Sequence, residues 1–451
     1  MTTRGNFLRR AGLIGAGIAT GVGFGSPRSE AAPEGRPNVL FVLTDDQPPQ
    51  TVAMMERLRA RMQRNWTETG YSDVPVCGPA RVSLFTGKYP HNHRATENKV
   101  SWRVYRNRNY ARDDLLSRVK RAGYRVGYFG KVINGYGSSD NPRWVHPAAH
   151  MWVGLASGQG QVPYQVNING RLLQTKRKQT IFFGNRAEGF VHSNAGKPWF
   201  CYLALTDPHV PQDPFKAHKH AHDGEWWTSP GTREDDLSDK SEWTRNQGTN
   251  DPKAWQKNWE GTLEELEGTE DYVVRLLDTI EETGQAENTI VIFSSDNGYM
   301  HGEHGGLFKK GKPYEESARV PFLVSLPGIT PPDSLLVNRL DITATILDAA
   351  NADMTGIDGR SFYGAGRTTT WRRRMLVEYP GVGWRMLRED PYVYIRLPGG
   401  EEELYNIATD PFQNESRPED AFGPLYADLR EKCASLANAS GDELRALEEE
   451  D

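Results

Sequence analysis

From residue 38 to residue 44 the chain reads Asn38-Val39-Leu40-Phe41-Val42-Leu43-Thr44, an apolar and β-branched run without polar interruption. A strand with one wet face would alternate, so an unbroken run predicts a strand covered on both faces. Two further runs have the same character, Thr289 to Ser294 and Trp199 to Leu205. Each run stops at polar, chemically capable residues: Asp45-Asp46 after the first, Asp296-Asn297 after the second, Asp207-Pro208-His209 after the third. In an open parallel α/β sheet, ligands bind in the crevice beyond the carboxyl ends of the strands, and these endings fit that arrangement.

Helical spacing separates the runs. From Leu263 to Glu282, residues Leu263, Leu266, Val273, Val274, Leu276, Leu277 and Ile280 lie near helical spacing. Strands alternating with helices predict an α/β doubly wound sheet. From about Arg372 the texture changes to short alternating runs, Met375 to Tyr379 and Tyr392 to Leu397, bounded by Pro and Gly. These predict a small antiparallel sheet, closed by a helix from about Gly423 to Leu436. A chain of 451 residues exceeds what one core usually fills, so two domains are expected, 33–370 and 371–451. Residues 212–262, with five tryptophans, are the least regular region; they read as a long active-site loop or lid, and a plain linker fits as well.

Composition narrows little: 37% hydrophobic, 25% charged and 10% aromatic residues describe an ordinary globular chain. Charge excludes more. A formal net charge of -5 argues against nucleic acid as the main partner, since phosphate binding needs a basic face. Cys77, Cys201 and Cys433 lie far apart without zinc-type pairing, so neither a disulfide framework nor a structural zinc site is indicated. Residues 1–32 read as an export signal. Arg4, Arg9 and Arg10 precede a Gly/Ala-rich apolar stretch, and Ala31-Ala32 offers a cleavage point. The stretch is too short and glycine-rich for stable membrane insertion. It is similar to a twin-arginine signal, with Gly5 where the second Arg would stand.

The chemistry concentrates around Val76-Cys77-Gly78-Pro79-Ala80-Arg81, followed by Thr86-Gly87-Lys88. This segment resembles the sulfatase signature, Cys-x-Pro-x-Arg with a following Thr-Gly-Lys element. The resemblance implies an alkaline-phosphatase-like α/β fold, with a mixed, mostly parallel sheet and a smaller C-terminal antiparallel sheet domain. It further implies that Cys77 is oxidised to formylglycine by a maturation enzyme. Asp45, Asp46, Asp296 and Asn297, with residue 77, resemble the family's metal ligands. Hard oxygen donors suit Ca²⁺, or less well Mg²⁺. Taken alone, Asp45-Asp46 would cap a helix.

Lys131 after Gly130, and Lys310 four residues before Tyr314, resemble the family's sulfate-contacting lysines. With Arg81 they would gather positive charge inside an acidic protein, as selection of an anionic ester requires. His209, in Asp207-Pro208-His209-Val210-Pro211, resembles the family's general acid, a task suited to imidazole. His218, His220 and His222 are closely spaced, but alternate positions in an irregular loop are weak evidence of a second metal site.

One position departs from the pattern. Many sulfatases carry a His two residues after the first lysine, where this chain has Ile133. Gly130-Lys131-Val132-Ile133-Asn134 and Thr86-Gly87-Lys88-Tyr89-Pro90-His91-Asn92-His93 instead resemble the glucosamine-6-sulfatase branch, so Asn134 is expected to take over part of the lost hydrogen bonding. The expected activity is hydrolysis of sulfate esters of a sulfated carbohydrate. Two readings stay open: a phosphonate monoester or phosphodiester hydrolase using the same nucleophile, and a non-catalytic sulfoglycan-binding protein with an unmodified Cys77.

Overall fold

The computed structural model describes residues 35–138, 141–364 and 371–450. The expected export signal, residues 1–32, lies outside the described residues. Nine strands form the large sheet: β1 (Asn38–Thr44), β2 (Arg64–Asn65), β3 (Arg125–Gly130), β4 (Met151–Ser157), β5 (Tyr164–Ile168), β6 (Arg171–Thr175), β7 (Trp199–Ala204), β8 (Thr289–Ser295) and β9 (Phe322–Ser325). Their order is β2-β9-β8-β1-β7-β3-β4-β5-β6. The five central strands, β8 to β4, are parallel, and the pairs at both margins are antiparallel. The sheet is therefore mixed and mostly parallel, as expected.

β1 shows why its run is continuously apolar. Val39, Phe41 and Leu43 enter one core, with Val82, Leu84 and Phe85 of helix α1 (Cys77–Thr86). Leu40 and Val42 enter the opposite core, with Phe183 and Val191 of helix α3 (Gln179–Ser193) and Val273 and Leu277 of helix α4 (Pro252–Glu282). Between α1 and α3 in sequence lies helix α2 (Asn98–Asn107). Both faces being dry, each such side chain contributes about 1.5–3 kcal/mol.

Register then positions the strand ends. Thr44 pairs with Ser295, and Leu43 with Ala204, which pairs in turn with Gly130. The residues that follow, Asp45-Asp46, Asp296-Asn297, Leu205 to His209, and Lys131, therefore leave the sheet along one edge.

One expectation needs correction, and one element went without a reading. The final eleven residues of the loop placed at 212–262 belong to α4, a single helix of 31 residues. Asp251 caps it by accepting from the Ala254 N–H, Pro252 occupies its first turn, and Trp259 is buried in phase with Leu263 and Leu266. Strands β5 and β6 carry no apolar run. They are joined by Asn169-Gly170, both with positive φ (48° and 89°), a two-residue turn that suits Asn-Gly.

Beyond helix α5 (Leu340–Ala349) the smaller sheet comprises β10 (Arg374–Tyr379), β11 (Trp384–Glu389), β12 (Tyr392–Arg396) and β13 (Glu402–Asn406), all antiparallel. Its residues alternate. Met375, Val377, Trp384 and Met386 pack against Tyr71, Met300, Leu307 and Tyr314, whereas Leu376, Leu387 and Leu404 pack against helix α6 (Glu419–Leu436). Among the described residues, no helix is long and apolar enough to cross a membrane.

Candidate active site

Cys77 is the first residue of α1, a helix buried along all ten residues. The helix N-terminus directs unpaired N–H groups and a positive dipole end toward this position. One of those groups, the Gly78 N–H, donates to Asn98 Oδ1 at 2.7 Å. The Cys77 Sγ, fully buried, lies 3.3 Å from Asp45 Oδ1, 3.5 Å from Asn297 Oδ1 and 3.7 Å from Asp46 Oδ1. Lys310 Nζ reaches it at 2.6 Å. Burial, reinforced by Asp296 and Asp45, pushes the thiol well above its usual range despite Lys131 and Lys310. As a thiol it is protonated and a poor nucleophile.

Three buried carboxylates face three cations. Arg81 lies one helical turn beyond Cys77 and is itself fully buried. It donates through Nε to Asp296 Oδ2 at 3.0 Å, through Nη1 to the Lys131 carbonyl at 2.9 Å, and places Nη2 3.4 Å from Asp45 Oδ2. Lys131 pairs with Asp45 and Lys310 with Asp46, both in direct contact. Burial alone would raise the Asp45 carboxyl, but Lys131, His209 and Arg81 together hold it well below the carboxylate range. Asp46 is lowered in the same way, by Lys310 and His209 against burial. Each charge here is tolerable because its opposite is within reach.

Backbone geometry aims these groups. Asp46 adopts a left-handed φ of 65°, unusual for a non-glycine residue, and its N–H donates to Asp296 Oδ1 at 3.2 Å. The Asp45 N–H donates to the Asp207 carbonyl at 3.0 Å, tying the His209 loop to the end of β1. His209 donates from Nδ1 to the Val210 carbonyl and turns Nε2 toward Asp46 Oδ2, 3.5 Å away. Its side chain remains 23% exposed, so it borders the pocket mouth.

Beneath the site lies a buried frame. Arg339 donates to the Asp296 carbonyl and to Asp73, the Ser72 hydroxyl donates to the same carbonyl at 3.1 Å, and the Ser83 hydroxyl donates to Asp73 Oδ2 at 2.5 Å. It couples the loop after β8 to the middle of α1.

The oxygens of Asp45, Asp46 and Asn297 converge on residue 77, and ligand atoms of Asp45, Asp46, Cys77 and His209 lie within 4.8 Å of one another. Asp296 adjoins them with one oxygen on Arg81 and the other on the Asp46 N–H. This oxygen-rich donor set fits a hard divalent cation.

Of the residues singled out in the sequence, the structure thus brings together Asp45, Asp46, Cys77, Arg81, Lys131, His209, Asp296, Asn297 and Lys310. Asn134 stands apart: among the described residues its buried Oδ1 has no hydrogen-bond partner, and its carbonyl accepts from the Trp102 N–H. Of the loop histidines, His218 pairs with Asp271, and His220 with Asp223. Residues that sequence reasoning missed also reach the site. Gln159 donates to Asp45 Oδ2 at 3.0 Å from a turn after β4, and Tyr379 arrives from β10. No local signal marks either one, since both are brought in by tertiary folding.

A doubly wound sheet whose strand ends gather carboxylates and buried cations around a helix N-terminus defines a hydrolase of anionic esters. The Sulfatase family model matches residues 37–352, more than half of the chain. The protein belongs to the sulfatase family and is a sulfuric ester hydrolase. Human N-acetylglucosamine-6-sulfatase is 29% identical over 440 residues, covering 90% of this chain and 76% of the human protein. An extracellular sulfatase SULF-1 homolog of Drosophila melanogaster is 29% identical over 367 residues, 74% of this chain and 31% of that protein. Among solved structures, BT4656 in complex with its substrate D-glucosamine-2-N,6-O-disulfate superposes with a TM-score of 0.73 at 19% identity, covering 89% of this chain and 97% of that one.

Proposed function

We propose that this sulfatase removes sulfate from a sulfated sugar, with the 6-O-sulfated glucosamine type favoured, and that residue 77 acts as formylglycine. The observation that carries the reading is the environment of Cys77: a protonated thiol at a helix N-terminus, ringed by three cations and three carboxylates. The likeness to N-acetylglucosamine-6-sulfatase and to a structure holding a sulfated glucosamine supports the substrate class.

In this reading the contacts of Sγ stand for those of the formylglycine oxygens. Asp45, Asp46, Asp296 and Asn297 would hold Ca²⁺, and together the ion and the modified residue supply an acidified hydroxyl nucleophile. The chain's own groups do the rest. Arg81, Lys131 and Lys310 receive the sulfate oxygens and offset their charge as the ester is cleaved. His209, its ring fixed through Nδ1, presents Nε2 to protonate the departing sugar oxygen. Asn134, with a buried oxygen unsatisfied among the described residues, is assigned to supporting hydrogen bonds.

In this reading a maturation enzyme would act before α1 is enclosed, since Cys77 is fully buried in the fold. Residues 1–32 are assigned to export, 33–370 to the catalytic domain and 371–451 to the smaller domain.

Peptide mass spectrometry tests the modification, because converting Cys77 to formylglycine removes about 18 Da. An unmodified, inactive protein from its native host would favour the sulfoglycan-binding reading. Turnover of sulfated monosaccharides and glycosaminoglycans, set beside a phosphodiester, tests the substrate. Faster phosphodiester cleavage would overturn the assignment.

A further inference from the structure

Close to the start of α1 stands a residue that the proposed chemistry does not use. Tyr379 ends β10 at the hairpin to β11, where the Val382 and Gly383 N–H groups both return to its carbonyl, at 3.1 and 2.8 Å. A Cβ built on Gly311 would stand 3.4 Å from Tyr379 Cε1 and 3.6 Å from Val76 Cγ2. A Cβ built on Gly381 would stand 3.1 Å from Tyr379 Cε2 and 3.2 Å from Glu97 Cβ. One edge of the ring therefore faces the neighbours of Lys310 and Cys77, and the other faces Glu97. The ring is held edge-on to Trp384, centroids 6.3 Å apart, and Trp384 Nε1 donates to the Gly311 carbonyl at 3.1 Å.

Glu97 immediately precedes α2, whose first residue, Asn98, holds the Gly78 N–H. It is half-buried, and among the described residues its carboxylate has no cation within ion-pair distance. Lys310, the cation that acts on Tyr379, is itself engaged by Asp46. The hydroxyl of Tyr379, likewise without a hydrogen-bond partner among the described residues, is raised above its ordinary range by burial and then by Glu97 and Cys77, against Lys310. The Tyr379 ring packs on Val74, Val76 and Ala80, and beside it the Glu97 carboxylate is left, among the described residues, without a cation of its own.

We propose that Tyr379 and Glu97 form the recognition subsite for the sugar that carries the sulfate. The ring supplies a flat apolar wall for the pyranose, and the Glu97 carboxylate accepts hydrogen bonds from hydroxyl or ammonium groups on its edge. A second anionic substituent directed at Glu97 is disfavoured by like charge. The inference rests on the sulfated-sugar reading and adds the residues that would select the sugar.

The test compares kcat/KM for 6-O-sulfated glucosamine with that for an aryl sulfate, using the full chain bearing formylglycine. Glu97→Gln is expected to lower the sugar-to-aryl ratio about tenfold, mainly through KM for the sugar, as loss of a charged hydrogen bond does. Tyr379→Ala is expected to lower it at least as far, and Tyr379→Phe, which keeps the ring, less. A ratio within twofold of the wild type in a folded Glu97→Gln protein overturns the subsite. So does an equal fall for both substrates, which indicates a purely structural role. Turnover of the aryl ester with no sulfated sugar hydrolysed by the wild type instead overturns the substrate reading itself, and the subsite with it.

Discussion

Asn98 accepts the backbone N–H of Gly78 at 2.7 Å, so the helix that begins at Cys77 is capped by a side chain from the start of the next helix. Val76, the residue in the capping position itself, has no side-chain acceptor. Asn98→Ala is expected to lower stability by about 1 kcal/mol. Thermal unfolding, with Asn98→Asp as the restoring variant, checks this. Equal melting temperatures for wild type and Asn98→Ala would show that the contact does not support α1.

His209 gives a prediction about leaving groups. A sugar alkoxide departs poorly without a proton, whereas an activated phenolate hardly needs one. His209→Asn is therefore expected to lower kcat on a sugar sulfate about 10²–10⁴-fold and on a nitrophenyl sulfate much less. Parallel losses on both would remove His209 from the acid role.

Chelation should separate activity from folding. Prolonged dialysis against a chelator is expected to abolish turnover and lower the melting temperature while leaving the circular dichroism spectrum intact, because Arg81, Lys131 and Lys310 still offset the three carboxylates. Adding back Ca²⁺ is expected to restore rate and melting temperature better than Mg²⁺. Global unfolding on chelation would contradict this.

A buried histidine outside the site sets a pH dependence of stability. His304 places Nδ1 2.7 Å from Glu234 and Nε2 3.5 Å from Glu316. Burial opposes its charge, yet the two carboxylates prevail and its pKa is pushed up to about 9 from 6.5. A raised histidine stabilises fully below its unfolded pKa, and the contribution fades as pH climbs through the folded value. The stability difference between wild type and His304→Gln should thus be largest near pH 6, on the order of 2–3 kcal/mol, and shrink toward pH 10. A difference that stays flat across that range would rule out the charged pairings.

Much of this fold is legible in the sequence, for a physical reason. Strands buried on both faces must be apolar throughout, so β1, β7 and β8 announce themselves, and polar residues directly after them have few places to go except the shared edge. What was hidden depends on folding at a distance or on polar segments. β5 alternates and β6 is largely exposed, so the hairpin shows its turn but no apolar run, and α4 begins among tryptophans that resemble loop residues until Trp259 is seen to be buried. Gln159 reaches Asp45 and Tyr379 lies beside Glu97 from separate places in the chain, and nothing in their neighbouring residues predicts either contact.

The alternation of β10 and β11 has a consequence for how the protein can be cut. Met375, Val377, Trp384 and Met386 are roofed by Tyr71, Met300, Leu307 and Tyr314, so the small sheet and the large one hold a single apolar seam in common. A fragment ending at 370 would present that seam to water and would lose the hairpin that carries Tyr379. The C-terminal segment is best regarded as the last wall of the catalytic body, and transplanting or truncating it should alter which esters enter as well as whether the chain stays folded.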